Sequence, residues 1–130
     1  MIKQIKSSEI KDFIKKNSNT VLLDVRNEDE LKSLGKPNAE DLNSTTYFIT
    51  VSPDLSNWQV PDPKFVENVK KKIDKEKKIL VMCAAGGRSM IAADLLEAAG
   101  YSVLNVSDGF SGNGQDPGWK NLGLPSVIDN

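Results

Sequence analysis

The chain has 130 residues, of which 38% are hydrophobic and 27% charged, with 17 basic and 18 acidic side chains. This length suits one domain over residues 1–130 with its own core, and the composition is that of an ordinary globular protein rather than a disordered one. A net charge near −1 gives no bulk attraction to nucleic acid or to an anionic membrane, so neither is expected as a partner.

Histidine is absent, and cysteine occurs once. Without an imidazole, the chain cannot build a Cys–His or Ser–His hydrolytic centre or the usual histidine-ligated catalytic zinc. One cysteine forms no internal disulfide, and residues 1–6 contain no apolar signal core. We therefore expect a cytoplasmic protein, and nothing in the sequence implies a metal or an organic cofactor.

The N-terminal part of the chain predicts two strands and two helices. Asn27 followed three residues later by Glu30 has the spacing of a capping box, which predicts the start of a helix. Thr20–Val25 is apolar enough for a core strand, and Asp24 and Arg26 stand at its carboxyl end. The expected segments are a strand at 3–5, a helix capped by Ser7 or Ser8 with apolar face Ile10, Phe13 and Ile14 that ends near 17–19, a strand at 20–25 and a helix at 28–34.

The segment between residues 35 and 61 is the least regular. Asp41 to Asn43 is expected to form a brief strand, and no periodicity is convincing from Ser44 to Pro61. This long loop carries three aromatic residues, Tyr47, Phe48 and Trp58. Two interpretations stay open for them, because such loops often form binding surfaces, whereas large aromatic side chains also complete cores.

The C-terminal half continues the alternation of helices and strands. Asp62 and Pro63 predict the N-cap and first residue of a helix, and six lysines near its end are interpreted as a solvated face. The helix has apolar positions at Phe65, Val66, Val69 and Ile73, and the lysines are 70, 71, 72, 75, 77 and 78. The remaining segments are a buried strand at 79–82, a helix from about residue 88, a strand at 103–106 and a short helix at 119–122.

This order of elements predicts an α/β fold in which helices cover both faces of a parallel sheet. The predicted core consists of Phe13, Ile14, Val21, Leu22, Leu23, Val66, Val69, Ile79, Leu80, Val81, Leu95, Leu96 and Val103.

Cys83 directly follows the buried strand at 79–82 and stands out as the candidate nucleophile. The four residues after it, Ala84, Ala85, Gly86 and Gly87, are small enough for the backbone to curl with its N–H groups pointing inward, which makes an anion cradle. The cradle opens into a helix N-terminus, and both this terminus and a nearby arginine favour the reactive thiolate. Arg88 supplies that arginine, and Arg88 and Ser89 are candidate ligands for an anionic substrate.

The sequence CAAGGRS, together with Leu23-Asp24-Val25-Arg26 and the terminal stretches Gly118-Trp119-Lys120 and Gly123-Leu124-Pro125, resembles a single-domain rhodanese, a sulfurtransferase module. The resemblance implies the rhodanese fold and a catalytic Cys83 that carries a persulfide. It implies a substrate loop from Ala84 to Ser89, and Asp24 and Arg26 at the border of the active site. For that pair, an ion-paired strand end is the competing interpretation. The family's usual Gly-His-Ile-Pro-Gly-Ala segment corresponds to 35–39, where this chain lacks the histidine.

The spacing of the loop separates the candidate functions. Four residues lie between Cys83 and Arg88, whereas the related phosphatase loop has five, so the spacing favours sulfur transfer over a phosphatase or arsenate-reductase activity. The resemblance implies a small anionic donor such as thiosulfate, or a persulfide, and cyanide or a small or protein thiol as acceptor. We expect the planar guanidinium of Arg88 to bind an anionic donor. A sulfur-relay or binding module with little turnover is the alternative.

Overall fold

The computed structural model describes residues 1–128. Its helices and strands are β1 (Lys3–Ile5), α1 (Ser7–Lys16), β2 (Thr20–Asp24), α2 (Glu28–Leu34), β3 (Lys36–Pro37), β4 (Thr46–Phe48), α3 (Phe65–Lys70), β5 (Lys78–Met82), α4 (Gly87–Ala98), β6 (Ser102–Val106), α5 (Gly118–Asn121) and β7 (Ser126–Val127). Short 3-10 helices occupy Ala39–Leu42 and Leu55–Asn57.

Five of these strands form a parallel sheet in the order β1-β6-β5-β2-β4. The middle strand β5 is an unbroken apolar run after its first residue, as expected for a strand covered on both faces. Asp24 pairs in register with Met82, so the ends of β2 and β5 lie side by side. This register brings the residues after both strands to one edge of the sheet.

The side chains of each central strand alternate between two cores. Val21 and Leu23 of β2 pack in a cluster with residues of α3 and α4, whereas Leu22 packs with α1 and with Trp119 of α5. Since successive side chains of a strand point to opposite faces, the two clusters lie on opposite sides of the sheet. The predicted arrangement, a parallel sheet with helices on both faces, is confirmed.

Several predicted boundaries agree with the structure. Helix α2 spans Glu28–Leu34, and the Asn27 N–H donates to Glu30 Oε1 at 3.0 Å, as a capping box requires. Strand β1 matches its predicted range.

The prediction of a strand at 41–43 was wrong, and the predicted loop from Ser44 to Pro61 contains a short strand and a short 3-10 helix. Residues 41–43, expected to be a strand, lie in and just after the 3-10 helix Ala39–Leu42, which ends at Asn43 with φ +63°. The edge strand β4 lies within the stretch described as loop. Thr46 at its start accepts from the Ala39 N–H and donates to Glu40, contacts that no local pattern reveals.

The starts of two helices also differ from the prediction. Helix α1 has Lys6 as its N-cap, and the hydroxyl of Ser7 donates to Asp108 instead of capping the helix. Asp62 and Pro63 form a turn before α3, in which the Lys64 N–H donates to Asp62 Oδ1 at 2.9 Å. The helix itself begins at Phe65.

The core contains most of the predicted residues and several others. Phe13, Val66 and Leu95 are only partly buried, at the margins of the two clusters. Trp119, Phe110 and Phe65 are fully buried but were absent from the predicted core. Among the helices of residues 1–128, none is long and apolar enough to cross a membrane.

Candidate active site around Cys83

Cys83 lies at the carboxyl end of the central strand β5 and is 1% exposed. The turn at 109–111 holds the base of its loop, because Phe110 N–H donates to the Cys83 carbonyl and Ser111 N–H to the Ala84 carbonyl, both at 2.9 Å. Gly109 has φ +61°, and a Cβ there would collide with the backbone of Cys83 and Ala84. The turn therefore requires glycine to approach the loop this closely.

The loop after Cys83 curls back over the sulfur. Gly86 adopts φ +101°, and its N–H donates to Cys83 Sγ at 3.1 Å. A Cβ on Gly86 would collide with the carbonyl of Ser107 on the chain after β6. Helix α4 begins at Gly87, so the sulfur faces the positive end of the helix dipole. The predicted route from strand to loop to helix is present.

Ser89 connects the sulfur to a buried polar network. Its Oγ lies 3.4 Å from Cys83 Sγ and 2.5 Å from Asn105 Oδ1. The Asn105 Nδ2 group faces two oxygen acceptors, the Gly86 carbonyl and Gln4 Oε1. The amide oxygen of Asn105 must therefore face Ser89. Ser89 has a single hydroxyl proton, and it donates this proton to the Asn105 oxygen, which is closer than Cys83 Sγ. Asn105 thus links Ser89 to the Gly86 carbonyl of the Cys83 loop.

Arg88 makes a two-pronged ion pair that was not predicted. Its Nη1 donates to Glu30 Oε1 at 2.6 Å and its Nη2 to Glu30 Oε2 at 2.8 Å. The guanidinium expected to bind an anionic donor is thus already paired with a carboxylate. The hydrogen bonds to Glu30 raise the pKa of Arg88. Burial alone would raise the pKa of Glu30, but the hydrogen bonds and charge of Arg88, with the Asn27 N–H, outweigh burial and lower it.

An open groove of about 300 Å³ leads to the sulfur. Its lining residues are Glu30, Leu55, Trp58, Cys83, Ala84, Ala85, Gly87 and Arg88. Trp58 and Leu55 are 37% and 47% exposed, and the Ser52 hydroxyl donates to the Trp58 carbonyl at 2.6 Å. Tyr47 packs against the core, as one interpretation of the 44–61 loop expects, whereas Trp58 lies at the groove. That the loop forms a binding surface stays a prediction.

Comparison with known proteins decides the family. The model of the rhodanese-like domain matches residues 7–115, which include β2, the Cys83 loop and α4. The chain belongs to the rhodanese-like domain family. Protein RP600 of Rickettsia prowazekii (strain Madrid E) is 33% identical to it over 126 residues, covering 96% of this chain and 97% of that protein.

Solved structures show the same rhodanese-like fold. The crystal structure of Rv0390 from M. tuberculosis superposes with a TM-score of 0.81 at 25% identity, covering 97% of each chain. The polysulfide-sulfur transferase homodimer from Wolinella succinogenes superposes with a TM-score of 0.71 at 23% identity, covering 99% of this chain and 80% of that one.

Within this rhodanese-like domain, Asp24 and Arg26 form a buried ion pair beneath the site. Arg26 Nη2 donates to Asp24 Oδ2 at 2.7 Å and to the carbonyl of Gly35 at 2.9 Å, which ties the end of β2 to the end of α2. Burial raises the pKa of Asp24, and the hydrogen bonds and charge of Arg26 oppose that shift. The ion pair that the competing interpretation expects at the end of β2 is present.

Arg26 also links this pair to the Cys83 loop. Its guanidinium lies 4.2 Å from the centre of the Phe110 ring, and the Phe110 N–H holds the Cys83 carbonyl. Arg26 therefore contacts the Cys83 loop indirectly, through Phe110.

Two groups at the site were not among the predicted site residues. Glu30 was assigned only to the capping box, and no spacing in the sequence indicates its contact with Arg88, 58 positions away. The sequence does hold an indication for Asn105, because this polar residue lies inside the apolar strand β6. In the structure it is 2% exposed. A polar side chain inside a buried strand usually forms a hydrogen bond with another buried group.

Proposed function

We propose that this rhodanese-like domain is a sulfurtransferase that carries sulfane sulfur as a persulfide on Cys83. The observation that carries the proposal is the position of Cys83 Sγ, which lies at the N-terminus of α4 within 3.1 Å of the Gly86 N–H and lines an open groove. A helix N-terminus and a backbone donor favour the thiolate, which is the nucleophilic form of cysteine.

The proposed reaction has two displacement steps. The Cys83 thiolate attacks the outer sulfur of a donor, the bond from that sulfur to the rest of the donor breaks, and the leaving group departs with the electron pair. With a persulfide donor R–S–SH, the products are Cys83–S–SH and R–S⁻. A thiolate acceptor then attacks the outer sulfur of Cys83–S–SH, takes it and regenerates the Cys83 thiolate.

The small-residue loop suits the persulfide intermediate. The outer sulfur of a persulfide carries negative charge when it is deprotonated, and the cradle from Ala84 to Arg88 offers backbone N–H groups at the start of α4. Ala84 and Ala85 add no bulk to the groove, so a second sulfur atom on Cys83 has room. Asp24 and Arg26 take the role of structural support in this proposal.

The structural relative from Wolinella succinogenes supports the proposal, because that protein is a polysulfide-sulfur transferase. This relationship supports sulfur transfer as the class of reaction. We propose a small sulfur donor and a small or protein thiol acceptor for this chain. A reducing, cytoplasmic location belongs to the same proposal, because such a compartment keeps a lone reactive thiol reduced.

Intact-mass measurement tests the proposal directly. After incubation with thiosulfate or with an organic persulfide, the protein should gain the mass of one sulfur atom, and dithiothreitol should remove it. Cys83→Ser is the matched control and should gain nothing. Failure of the wild-type protein to gain sulfur from either donor contradicts the proposal.

A sulfur relay between proteins is the second candidate, favoured by the exposed Leu55 and Trp58 beside the groove. An apolar rim around a reactive thiol suits a protein partner. Turnover separates the two functions: a relay gains sulfur on Cys83 but passes it only slowly to cyanide or dithiothreitol, whereas an enzyme with small substrates turns over repeatedly.

A further inference from the structure

Glu30 places a carboxylate beside the candidate nucleophile. Both Glu30 and Arg88 line the groove over Cys83, and their side chains are 16% and 10% exposed. Each terminal nitrogen of Arg88 meets one oxygen of Glu30, at 2.6 and 2.8 Å. The planar guanidinium therefore has its two-pronged face occupied by a partner within the chain.

This pairing changes what the groove attracts. A free arginine would draw a small dianion such as thiosulfate to Cys83, but the carboxylate of Glu30 cancels the charge of Arg88 at close range. What remains for an anion is the dipole of α4 and the backbone N–H groups of the loop. A dianion must also approach the Glu30 carboxylate, because that side chain lines the same groove.

The other walls of the groove are apolar. Leu55, Trp58, Ala84 and Ala85 line the groove together with the sulfur. The Trp58 ring lies over the first turn of α4, since a Cβ on Gly87 would lie 3.5 Å from Trp58 Cη2. Such walls bind a carbon group better than a hydrated sulfonate, because burying apolar surface is favourable and stripping water from a charge is costly.

We propose that Glu30 is a specificity-determining residue, and that the groove selects an organic persulfide with an apolar, uncharged carbon group over an inorganic dianion. This inference rests on the sulfurtransferase function proposed above and names its donor class. The Cys83 thiolate attacks the outer sulfur of R–S–SH while the carbon group R lies between Leu55 and Trp58. The products are Cys83–S–SH and the thiolate R–S⁻, so atoms and charge balance without a further reactant.

Glu30 also has a structural role, which the experiment must separate from the proposed one. Its Oε1 accepts the Asn27 N–H at 3.0 Å and so caps α2. Glu30→Gln keeps an amide oxygen for that N–H but removes the charge that neutralises Arg88. Glu28→Gln is the matched control, because Glu28 belongs to the same first turn, is exposed and pairs with Lys32 instead.

The test compares initial rates of sulfur addition to Cys83, by intact mass, from benzyl hydropersulfide and from thiosulfate. Wild-type protein and Glu28→Gln should load faster from the persulfide. Glu30→Gln should load from thiosulfate about tenfold faster than wild type and change little with the persulfide, since freeing a positive charge attracts the dianion. Added NaCl should slow thiosulfate loading of Glu30→Gln but barely affect wild type, a dependence that a merely structural role of Glu30 would not produce.

Two results overturn the inference: faster wild-type loading from thiosulfate than from the persulfide, or the same donor ratio in Glu30→Gln as in wild type. Either leaves the sulfurtransferase function standing, because sulfur still reaches Cys83. Failure of both donors to load wild type refutes the function itself. Should Glu30→Gln not fold, the wild-type donor preference, which needs no variant, still supports or overturns the donor class.

Discussion

At the scale of single residues, the Arg88–Glu30 pair decides how the groove is charged. The sequence predicts that Arg88 binds an anionic donor, whereas the structure pairs both of its terminal nitrogens with Glu30. Two opposite charges held this close make a nearly neutral unit. Arg88 therefore shapes the site mainly through its partner, and its removal exposes Cys83 to an uncompensated carboxylate.

Arg88→Ala should slow alkylation of Cys83 by iodoacetate more than by iodoacetamide. The Glu30 carboxylate left beside the groove repels the anionic reagent but not the neutral one. The variant should also lose about 2 kcal/mol of unfolding free energy, because a nearly buried charge has lost its partner. Alkylation rates with both reagents and urea denaturation measure these effects. Equal slowing by the two reagents would show that Glu30 does not control the potential at the sulfur.

Glu30 should also make the stability of the fold depend on pH in the acid range. Its pKa is lower in the folded chain than the ordinary value of 4.5. Ionised Glu30 therefore stabilises the fold fully above pH 4.5, and this contribution is lost as the pH falls through the lower, folded-state pKa. Urea denaturation between neutral pH and the acid range should show a smaller loss of stability in Glu30→Gln than in wild type.

Some acid dependence should remain in Glu30→Gln. The pKa of Glu40 is also lowered, because its hydrogen bonds from Thr46 outweigh the effect of burial. The prediction for Glu30 fails if the variant and the wild-type protein lose stability in parallel as the pH falls.

At the scale of elements, the junction of β5, loop and α4 depends on close backbone contacts. The chain after β6 packs closely against the loop. Ser107 lies against Gly86, and Gly109 lies against Ala84. These contacts leave no room for side chains and hold the Gly86 N–H on the sulfur. The geometry of the nucleophile is therefore a property of two neighbouring strands and the turns that follow them.

Gly86→Ala should destabilise the protein more than Gly114→Ala. Both glycines have positive φ, of +101° and +90°, so each substitution costs about 1 kcal/mol in backbone strain. Only at Gly86 does the new methyl group also collide with a carbonyl, that of Ser107, whereas Gly114 has open space. The unfolding free energy, measured by urea denaturation, and the alkylation rate of Cys83 should both change more in Gly86→Ala than in Gly114→Ala. Equal behaviour of the two variants would mean that the loop relaxes without affecting the sulfur.

At the scale of the whole molecule, Asp108 joins parts of the chain that are distant in sequence. It is 1% exposed and accepts from the Ser7 N–H and hydroxyl at 2.9 Å and from the Gly118 N–H at 3.0 Å. The start of α1, the turn after β6 and the start of α5 therefore meet at one carboxylate. The same turn holds the base of the Cys83 loop, so the site rests on this junction.

Asp108→Asn should lower the unfolding free energy by about 2 kcal/mol, because an amide of the same shape presents an N–H group to one of the three donors. Asp116→Asn is the matched control, since Asp116 is partly exposed and pairs with Lys6 at 3.6 Å on the surface. Urea denaturation of both variants measures the difference. A loss no larger than that of Asp116→Asn would show that the junction contributes little.

Features that depend on residues close together in the chain could be predicted from the sequence. The apolar run before Cys83, the small residues after it and the helical period beyond predict strand, loop and helix because each follows from local backbone preferences. The capping box at Asn27 and Glu30 marked α2 correctly for the same reason. Alternation of strands and helices then left a parallel sheet as the simplest arrangement.

Features that depend on residues far apart in the chain became visible only in the folded structure. Strand β4 forms at the sheet edge because β2 offers it a partner, whereas its own three residues carry no periodicity. Glu30 meets Arg88, and Asn105 meets Ser89, across 58 and 16 positions. A hydrogen bond between distant residues leaves no spacing in the sequence, so the charge of the groove and the orientation of Ser89 appear only once the chain has folded.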